Sequence, residues 1–116
     1  MSDVGARLKT RFSALRVRVV VPEWSDILPS DSEGQPAIFA SPFTLADSTA
    51  LQKWIAADSP EGFAHVVLRK AENEDGERLF DIGDRQILLQ CCEAHIISRV
   101  GKALMASVDL EAAEGN

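Results

Sequence analysis

The stretch DRQILLQCCEAHIISRVGKALMA, residues 84–106, decides the fold because it predicts the longest helix of the chain. Its apolar residues recur every three or four positions, which places them on one helical face. They are Leu89, Cys92, Ile96, Val100 and Ala103, with Leu88, Cys91 and Leu104 widening the face. Asp84 is the predicted N-cap, and we expect the helix to end near Ala106. Gly101 lies inside it at a cost of about 1 kcal/mol relative to alanine, which indicates a kink or a close contact.

Capping residues predict two shorter helices upstream. Thr44 and Asp47 resemble a capping box, in which each side chain bonds the backbone N–H of the other residue. That helix is expected to end near Ala57. Ser59 and Pro60 mark the start of the next one, because serine caps N-termini and proline suits the first turn. The buried face of this next helix is predicted to consist of Phe63, Val66 and Val67.

Two short strands are predicted before these helices. The β-branched residues of 17–21 alternate at first with arginine, a pattern typical of a strand, and Pro22 ends it. Residues 37–40 form a second apolar run that could pair with the first in antiparallel orientation. The intervening residues 25–36 are rich in Ser, Asp, Gly and Pro and are predicted to form a mobile loop.

Together these elements predict an α+β fold that is mainly helical. We expect a short antiparallel β element of two or three strands packed against three or four helices. Residues 16–106 form the predicted single globular domain, and residues 107–116 an acidic flexible tail. The large aromatic residues are expected mainly in the core: Trp24, Phe39, Trp54, Phe63 and Phe80.

Residues 1–15 are predicted to form a basic amphipathic N-terminal arm. Val4, Leu8, Phe12 and Leu15 recur at helical spacing over residues 3–15. A helix this short is marginal in isolation, so it either covers the core of its own domain or contacts another chain. Residues 1–18 have a net charge of +4, and the remainder of the chain has −10.

Composition limits the class of protein. The 116 residues are 46% hydrophobic and 26% charged, which is typical of one globular domain. The apolar runs are shorter than a membrane span requires, and no secretory signal is recognisable. An acidic body does not favour nucleic-acid binding, although a small regulator that uses the basic residues of 7–18 to contact nucleic acid is an alternative. We therefore expect no membrane and no nucleic-acid partner.

The sequence offers little that would support catalysis or cofactor binding. Placing Gly76 at position 6 of an EF-hand leaves both key ligand positions without carboxylates. Cys91 and His95 lie four residues apart, but a structural zinc site needs four ligands. No local nucleophile signature or phosphate-binding loop is present. We expect that the protein is not an enzyme and that it binds no cofactor, no metal and no small-molecule substrate. We interpret Cys91 and Cys92 as buried thiols of a protein in a reducing compartment.

Two segments resemble a known family. The segment VVVPEW, residues 19–24, follows the first predicted strand, and EDGERLFDIGD, residues 74–84, precedes the last helix. The tail assembly chaperones of long-tailed bacteriophages have a strand running into a (V/P)-E-W segment and a D-x-D-G-x-x-L-F-x-x-x-D stretch before the last helix. Here Asp75-Gly76, Leu79-Phe80 and Asp84 match the second pattern. The resemblance spans about residues 17–106.

The resemblance implies a non-enzymatic chaperone that binds the tape-measure protein and promotes assembly of the tail tube. Its partners would be the tape-measure and tail-tube proteins, and the N-terminal arm is a candidate for self-association. Such a protein acts in the cytoplasm of the bacterial host and is absent from the mature virion. The alternatives are a small structural phage protein, such as a tail or head-completion component, or another small protein-interaction module.

Two groups of residues are candidates for partner binding. Leu8, Phe12 and Leu15 form the first, as an apolar face without an obvious place in the compact domain. Packing of this face on the chain's own sheet is the alternative. Ile27 and Leu28 form the second group, because they are apolar within an otherwise polar loop.

Overall fold

The computed structural model describes the backbone of residues 2–114 and the side chains of residues 2–105. Its described part contains five α-helices and two strands, which confirms a mainly helical α+β fold. In chain order these are α1 (Asp3–Ala14), β1 (Val17–Val20), β2 (Ala37–Ala40), α2 (Leu45–Ala57), α3 (Pro60–Lys70), α4 (Arg85–Cys91) and α5 (Ala94–Glu114). Short 3-10 helices lie at Pro22–Trp24 and Ile82–Asp84.

The strands β1 and β2 form an antiparallel pair in which Val19 lies opposite Ile38. All four residues of β2 are buried, whereas β1 keeps one face partly exposed. On its other side, Phe39 exchanges two backbone hydrogen bonds with Glu72, of 2.8 and 2.7 Å. This isolated bridge fixes β2 to the chain that follows α3.

Helices α2 and α3 start at the capping residues that the sequence predicts. The Thr44 hydroxyl accepts from the Asp47 N–H, and the Asp47 carboxylate accepts from the Thr44 N–H, which completes the capping box. Ser59 accepts from the N–H of Gly62, with Pro60 in the first turn of α3. These local bonds satisfy N–H groups that a helix leaves unpaired, and each cap stabilises its helix by about 1 kcal/mol.

Helix α3 lies at the centre of the core and packs against α2, α4 and α5. Its buried side chains include Phe63, Val66 and Val67, as predicted. Gly101 of α5 provides close packing: a Cβ there would lie 2.6 Å from the Cβ of Phe63. Of the aromatic residues expected in the core, Trp24, Phe39 and Phe63 are buried, whereas Trp54 and Phe80 are half-buried at its edge.

The prediction of one closing helix was wrong, because the chain is interrupted between Cys91 and Ala94. Cys92 has an extended backbone, and α5 then starts anew with Ile96 and Ile97 donating to the Glu93 carbonyl. The interruption changes the helical register. Cys91 is therefore exposed rather than buried, and Cys92 is half-buried.

The same interruption places Cys91 and His95 on different helices, so they do not share a helical face. Helix α5 continues to Glu114, past the end expected near Ala106. The side chains of residues 107–116 lie outside the described part of the chain. The acidic flexible tail predicted there therefore stays a prediction.

The loop of residues 25–36 is held by side-chain bonds. The Asp31 carboxylate accepts from the Arg18 guanidinium at 2.7 Å and from the N–H groups of Glu33 and Gln35 at 2.9 Å each. The bond from Arg18 is the largest influence that lowers the pKa of Asp31. The predicted mobile loop is thus a hydrogen-bonded turn, attached to β1 through Arg18.

Candidate protein-binding groove

Helix α1 is a short amphipathic helix that lies at the edge of the domain. The Ser2 hydroxyl caps it by accepting from the Gly5 N–H at 2.9 Å, and Leu15 ends it by donating to the Phe12 carbonyl. None of its residues is buried. The helix therefore forms as the spacing predicts, but it does not close over the core.

The apolar face of α1 borders a groove of about 520 Å³, which we call the α1 groove. One wall consists of Leu8, Phe12 and Leu15, and the other of the segment 42–44, which leads into α2. Phe43 is the large apolar residue of this second wall. Lys9 and Arg11 also line the groove and give it a basic rim. The arrangement is an apolar trough with positive charge along one side.

A buried ion pair fixes the second wall. The Lys70 ammonium donates to Asp47 Oδ2 at 2.6 Å and to the Pro42 carbonyl at 3.2 Å. Arg69 donates to Asp47 Oδ1 at 2.8 Å. Asp47 also caps α2 at Thr44, so one carboxylate anchors both the wall of the α1 groove and the start of α2.

The charge of Asp47 is maintained by these bonds. Burial by itself raises the pKa of the Asp47 carboxyl. The hydrogen bonds from Lys70, from the Thr44 amide and from the Arg69 guanidinium outweigh burial and lower the pKa to about 2. The carboxylate is therefore ionised throughout the physiological range. A wall held in this way is preorganised, which reduces the ordering cost of binding a partner.

The structure brings the first group of predicted contact residues together. Leu8 is 62% exposed, and Phe12 and Leu15 are half-buried, all on the α1 groove. The exposure of Leu8 shows that the chain's own residues do not fully cover this face. The second group is divided: Ile27 is 65% exposed, but it lies apart from the α1 groove.

The prediction for Leu28 needs correction, because Leu28 is buried in the core. The N–H groups of Ile27 and Leu28 both donate to the Trp24 carbonyl, which continues the 3-10 turn. Successive residues of such a turn point in different directions. Ile27 therefore faces outward while Leu28 packs inward.

Sequence reasoning missed the contribution of Phe43 to the groove. One signal was available. Phe43 precedes the N-cap Thr44, a position where an apolar residue often packs on the fourth helical residue. That residue is the polar and exposed Ser48, so Phe43 has no such partner in α2. An apolar residue without its usual partner indicated a contact elsewhere.

The residues of the two family-like segments have structural roles in this fold. Glu23 accepts two hydrogen bonds from Arg99 of α5, at 2.5 and 2.6 Å, and Trp24 is buried. The bonds from Arg99 are the largest influence on Glu23 and lower its pKa to about 2. Gly76 has a φ of +88°, which glycine adopts readily, at the turn of the second segment. These residues shape the domain rather than line the α1 groove.

A half-buried histidine of α3 packs against α2. The ring of His65 stacks on Trp54 with 3.6 Å between centroids and 9° between planes. Its Nε2 atom is buried and has no hydrogen-bond partner among the described residues. Burial lowers the pKa of His65, and the positive charge of Arg85 acts in the same direction.

We expect His65 to make stability depend on pH. The folded protein disfavours the protonated imidazole, so the unfolded chain binds more protons below the ordinary pKa of 6.5. The His65 contribution is complete above that pKa and decreases as the pH falls towards the folded-state value. The His65→Phe variant keeps a ring on Trp54 but cannot titrate. Thermal unfolding at about pH 7.5 and about pH 5 should show a smaller pH-dependent loss in this variant, and an unchanged loss would contradict the assignment.

Within the described residues, no group of three or more His, Cys, Asp or Glu side chains is arranged to hold a metal ion. Among the same residues, no helix combines the length and apolarity that crossing a membrane requires.

Comparison with known proteins adds no assignment. No family model, no curated protein and no solved structure matches the chain.

Proposed function

We propose that this protein is a non-enzymatic assembly chaperone that holds an amphipathic helix of a client protein in the α1 groove. The observation that supports the proposal is the groove itself: an apolar trough next to a fixed wall, with Leu8 largely exposed. Helix-in-groove recognition needs such a trough for the apolar face of the client. A protein that binds exposed apolar surface keeps its client soluble by mass action and needs no nucleotide.

The charges indicate which kind of helix fits. Lys9 and Arg11 line the α1 groove, so acidic residues beside the apolar face of a client would meet positive charge. The net charge of −6 favours solubility of the complex. The preferred client is therefore an amphipathic helix with acidic flanks.

The identity of the client comes from the family resemblance. We infer that the client is the tape-measure protein of a long-tailed phage, and that the complex promotes assembly of the tail tube in the host cytoplasm. The resemblance of residues 19–24 and 74–84 supports this assignment. A structural component of the particle is the alternative, and mass spectrometry of purified virions distinguishes the two. The proposal expects the chain to be absent from virions, and its stoichiometric presence would favour the component.

The proposal is tested by co-expression with a tape-measure segment encoded in the same genome. Wild-type protein should keep the segment soluble and co-purify with it. The triple variant Leu8→Ser, Phe12→Ser, Leu15→Ser should lose most of this effect, since buried apolar anchors provide most of the binding energy of such interfaces. Far-UV circular dichroism verifies that the variant is folded.

A matched control removes three exposed apolar residues that do not line the α1 groove: Ile27→Ser, Ile82→Ser and Ile87→Ser. This control should solubilise the segment at least as well as the wild type does. Loss of solubilisation in the control but not in the α1 variant would contradict the α1 groove as the binding site. Absence of any interaction with folded wild-type protein would contradict the chaperone role.

A further inference from the structure

A second apolar groove lies along α4. Trp24 and Leu88 are buried within it, and Ile27, Phe80, Ile87 and Cys91 border it. Its volume is about 120 Å³, and we call it the α4 groove. Ile27 is 65% exposed and Ile87 is 58% exposed, so two large aliphatic side chains face solvent here. Neighbouring exposed aliphatic residues of this kind are typical of an interaction surface.

The surroundings of the α4 groove are acidic. Asp26 directly precedes the lining residue Ile27, Asp81 follows Phe80 and Glu93 follows Cys92, and all three carboxylates are exposed. The nearby Arg99 is bound by Glu23 through two hydrogen bonds, which balances its charge. Arg85 at the start of α4 is the one opposing charge among these flanking residues, which therefore carry a net negative charge.

Helix α1 has the complementary properties. Its apolar face has Val4 73% exposed and Leu8 62% exposed, so its N-terminal half is the least covered. With three basic residues and one acidic residue, α1 has a net charge of +2. It thus presents an aliphatic stripe with positive flanks, whereas the α4 groove presents an aliphatic trough with negative flanks.

We propose that α1 of one copy docks in the α4 groove of a second copy of this chain. Val4 and Leu8 contact Ile27 and Ile87, and the basic residues of α1 face the acidic surroundings of the groove. In its own chain α1 lies beside residues 42–44, so the helix that occupies the α4 groove comes from another molecule. Since each copy contains one helix and one groove, reciprocal exchange closes a dimer.

Formation of the dimer does not require the client, but the dimer and the client share a contact residue. Leu8 belongs both to the α1 groove and to the dimer contact, so the two occupants compete. The dimer is then a storage form whose apolar surfaces are covered, and a client dissociates it by mass action.

Association is measured by sedimentation velocity from about 1 to about 100 µM protein. The wild type should approach twice the monomer mass of 12.6 kDa as concentration rises. Ile87→Glu in the groove and Leu8→Glu on α1 should each weaken association by at least about tenfold, because each buries a carboxylate without a partner. Ile82→Glu is the control, since Ile82 is 86% exposed and does not line the groove, and it should associate as the wild type does.

Mixing the two variants distinguishes docking of α1 in the α4 groove from association through other surfaces. The Ile87→Glu protein keeps an intact α1, and the Leu8→Glu protein keeps an intact α4 groove. A one-to-one mixture should therefore associate more strongly than either variant alone. Monomeric wild type over the whole range, equal association of all variants, or no recovery in the mixture would overturn the proposal.

Cys91 provides a positional test because it is exposed and borders the α4 groove. A Leu8→Cys variant oxidised by air with a copper catalyst should form a disulfide-linked dimer through Cys91. Ala6→Cys, on the other face of α1, should crosslink far less, and Cys91→Ser in the Leu8→Cys background should abolish the Leu8-dependent product. Equal crosslinking from both helix faces would contradict the docking. Failure of the dimer tests with client solubilisation intact would remove this inference and leave the chaperone proposal standing.

Discussion

We expect the Asp47→Ala variant to lose about 3–5 kcal/mol of the free energy of unfolding, because it leaves the buried Lys70 ammonium without its partner. Lys70 is only 5% exposed, and Asp47 is its carboxylate partner at 2.6 Å. The variant also removes the Asp47 half of the capping box of α2, while the Thr44 hydroxyl still caps the helix, and this adds a smaller loss. Urea denaturation followed by circular dichroism measures the loss.

A double variant provides the control for this prediction. Asp47→Ala combined with Lys70→Met removes the unpaired charge and replaces it with an apolar side chain of similar length. The double variant should recover a large part of the lost stability, because the cost of a broken buried pair comes mainly from the remaining charge. A double variant no more stable than Asp47→Ala would contradict this explanation.

The ion pair of Asp47 with Lys70 should also make the free energy of unfolding depend on pH in acid. The folded pKa of Asp47, about 2, is below its ordinary value of 3.8. The stabilisation is complete above the ordinary value and decreases as the pH falls through the folded-state value. The Asp47→Ala variant should lack this component of acid sensitivity.

We expect Gly101→Ala to destabilise the fold by about 1–3 kcal/mol, although alanine is the better helix former. A Cβ at Gly101 would lie 2.6 Å from Cβ and 3.1 Å from Cα of Phe63. These atoms are fixed to the α3 backbone, so a side-chain rotation does not relieve the overlap. Helices α3 and α5 would have to separate at the centre of the core, and the urea midpoint should fall.

An exposed helical position calibrates the effect of helix propensity. Ala50 is exposed within α2, and Ala50→Gly should cost up to about 1 kcal/mol through propensity. Gly101→Ala should therefore change stability in the direction opposite to its propensity. A Gly101→Ala variant more stable than the wild type would contradict the close packing of α3 and α5.

The parts of the fold that depend on local chemistry were predictable from the sequence. Thr44 with Asp47, and Ser59 with Pro60, mark helix starts because capping bonds join residues three apart. The interruption after Cys91 was not predictable in this way. The apolar spacing of residues 84–106 continues across it, so helical periodicity contains no signal for the break, which depends on how α4 and α5 each pack on α3.

Only one wall of the α1 groove was predictable from the sequence. The spacing of Leu8, Phe12 and Leu15 identified the exposed apolar face, since helical periodicity is a local property. The second wall comes from residues more than 25 positions away and is fixed by Asp47 and Lys70, whose pairing is a tertiary contact. Ile27 and Leu28 show the same limit: composition did not distinguish the outward residue from the buried one.

The most direct test of the chaperone account is amide hydrogen exchange of the protein with and without the tape-measure segment. Exchange reports which backbone groups become protected when a partner orders or covers them. The account predicts increased protection over residues 3–15 and around residues 42–44, with little change along α4 beyond that caused by dissociation of dimers. Protection confined to other parts of the domain, with α1 exchanging as fast as in the free protein, would contradict it.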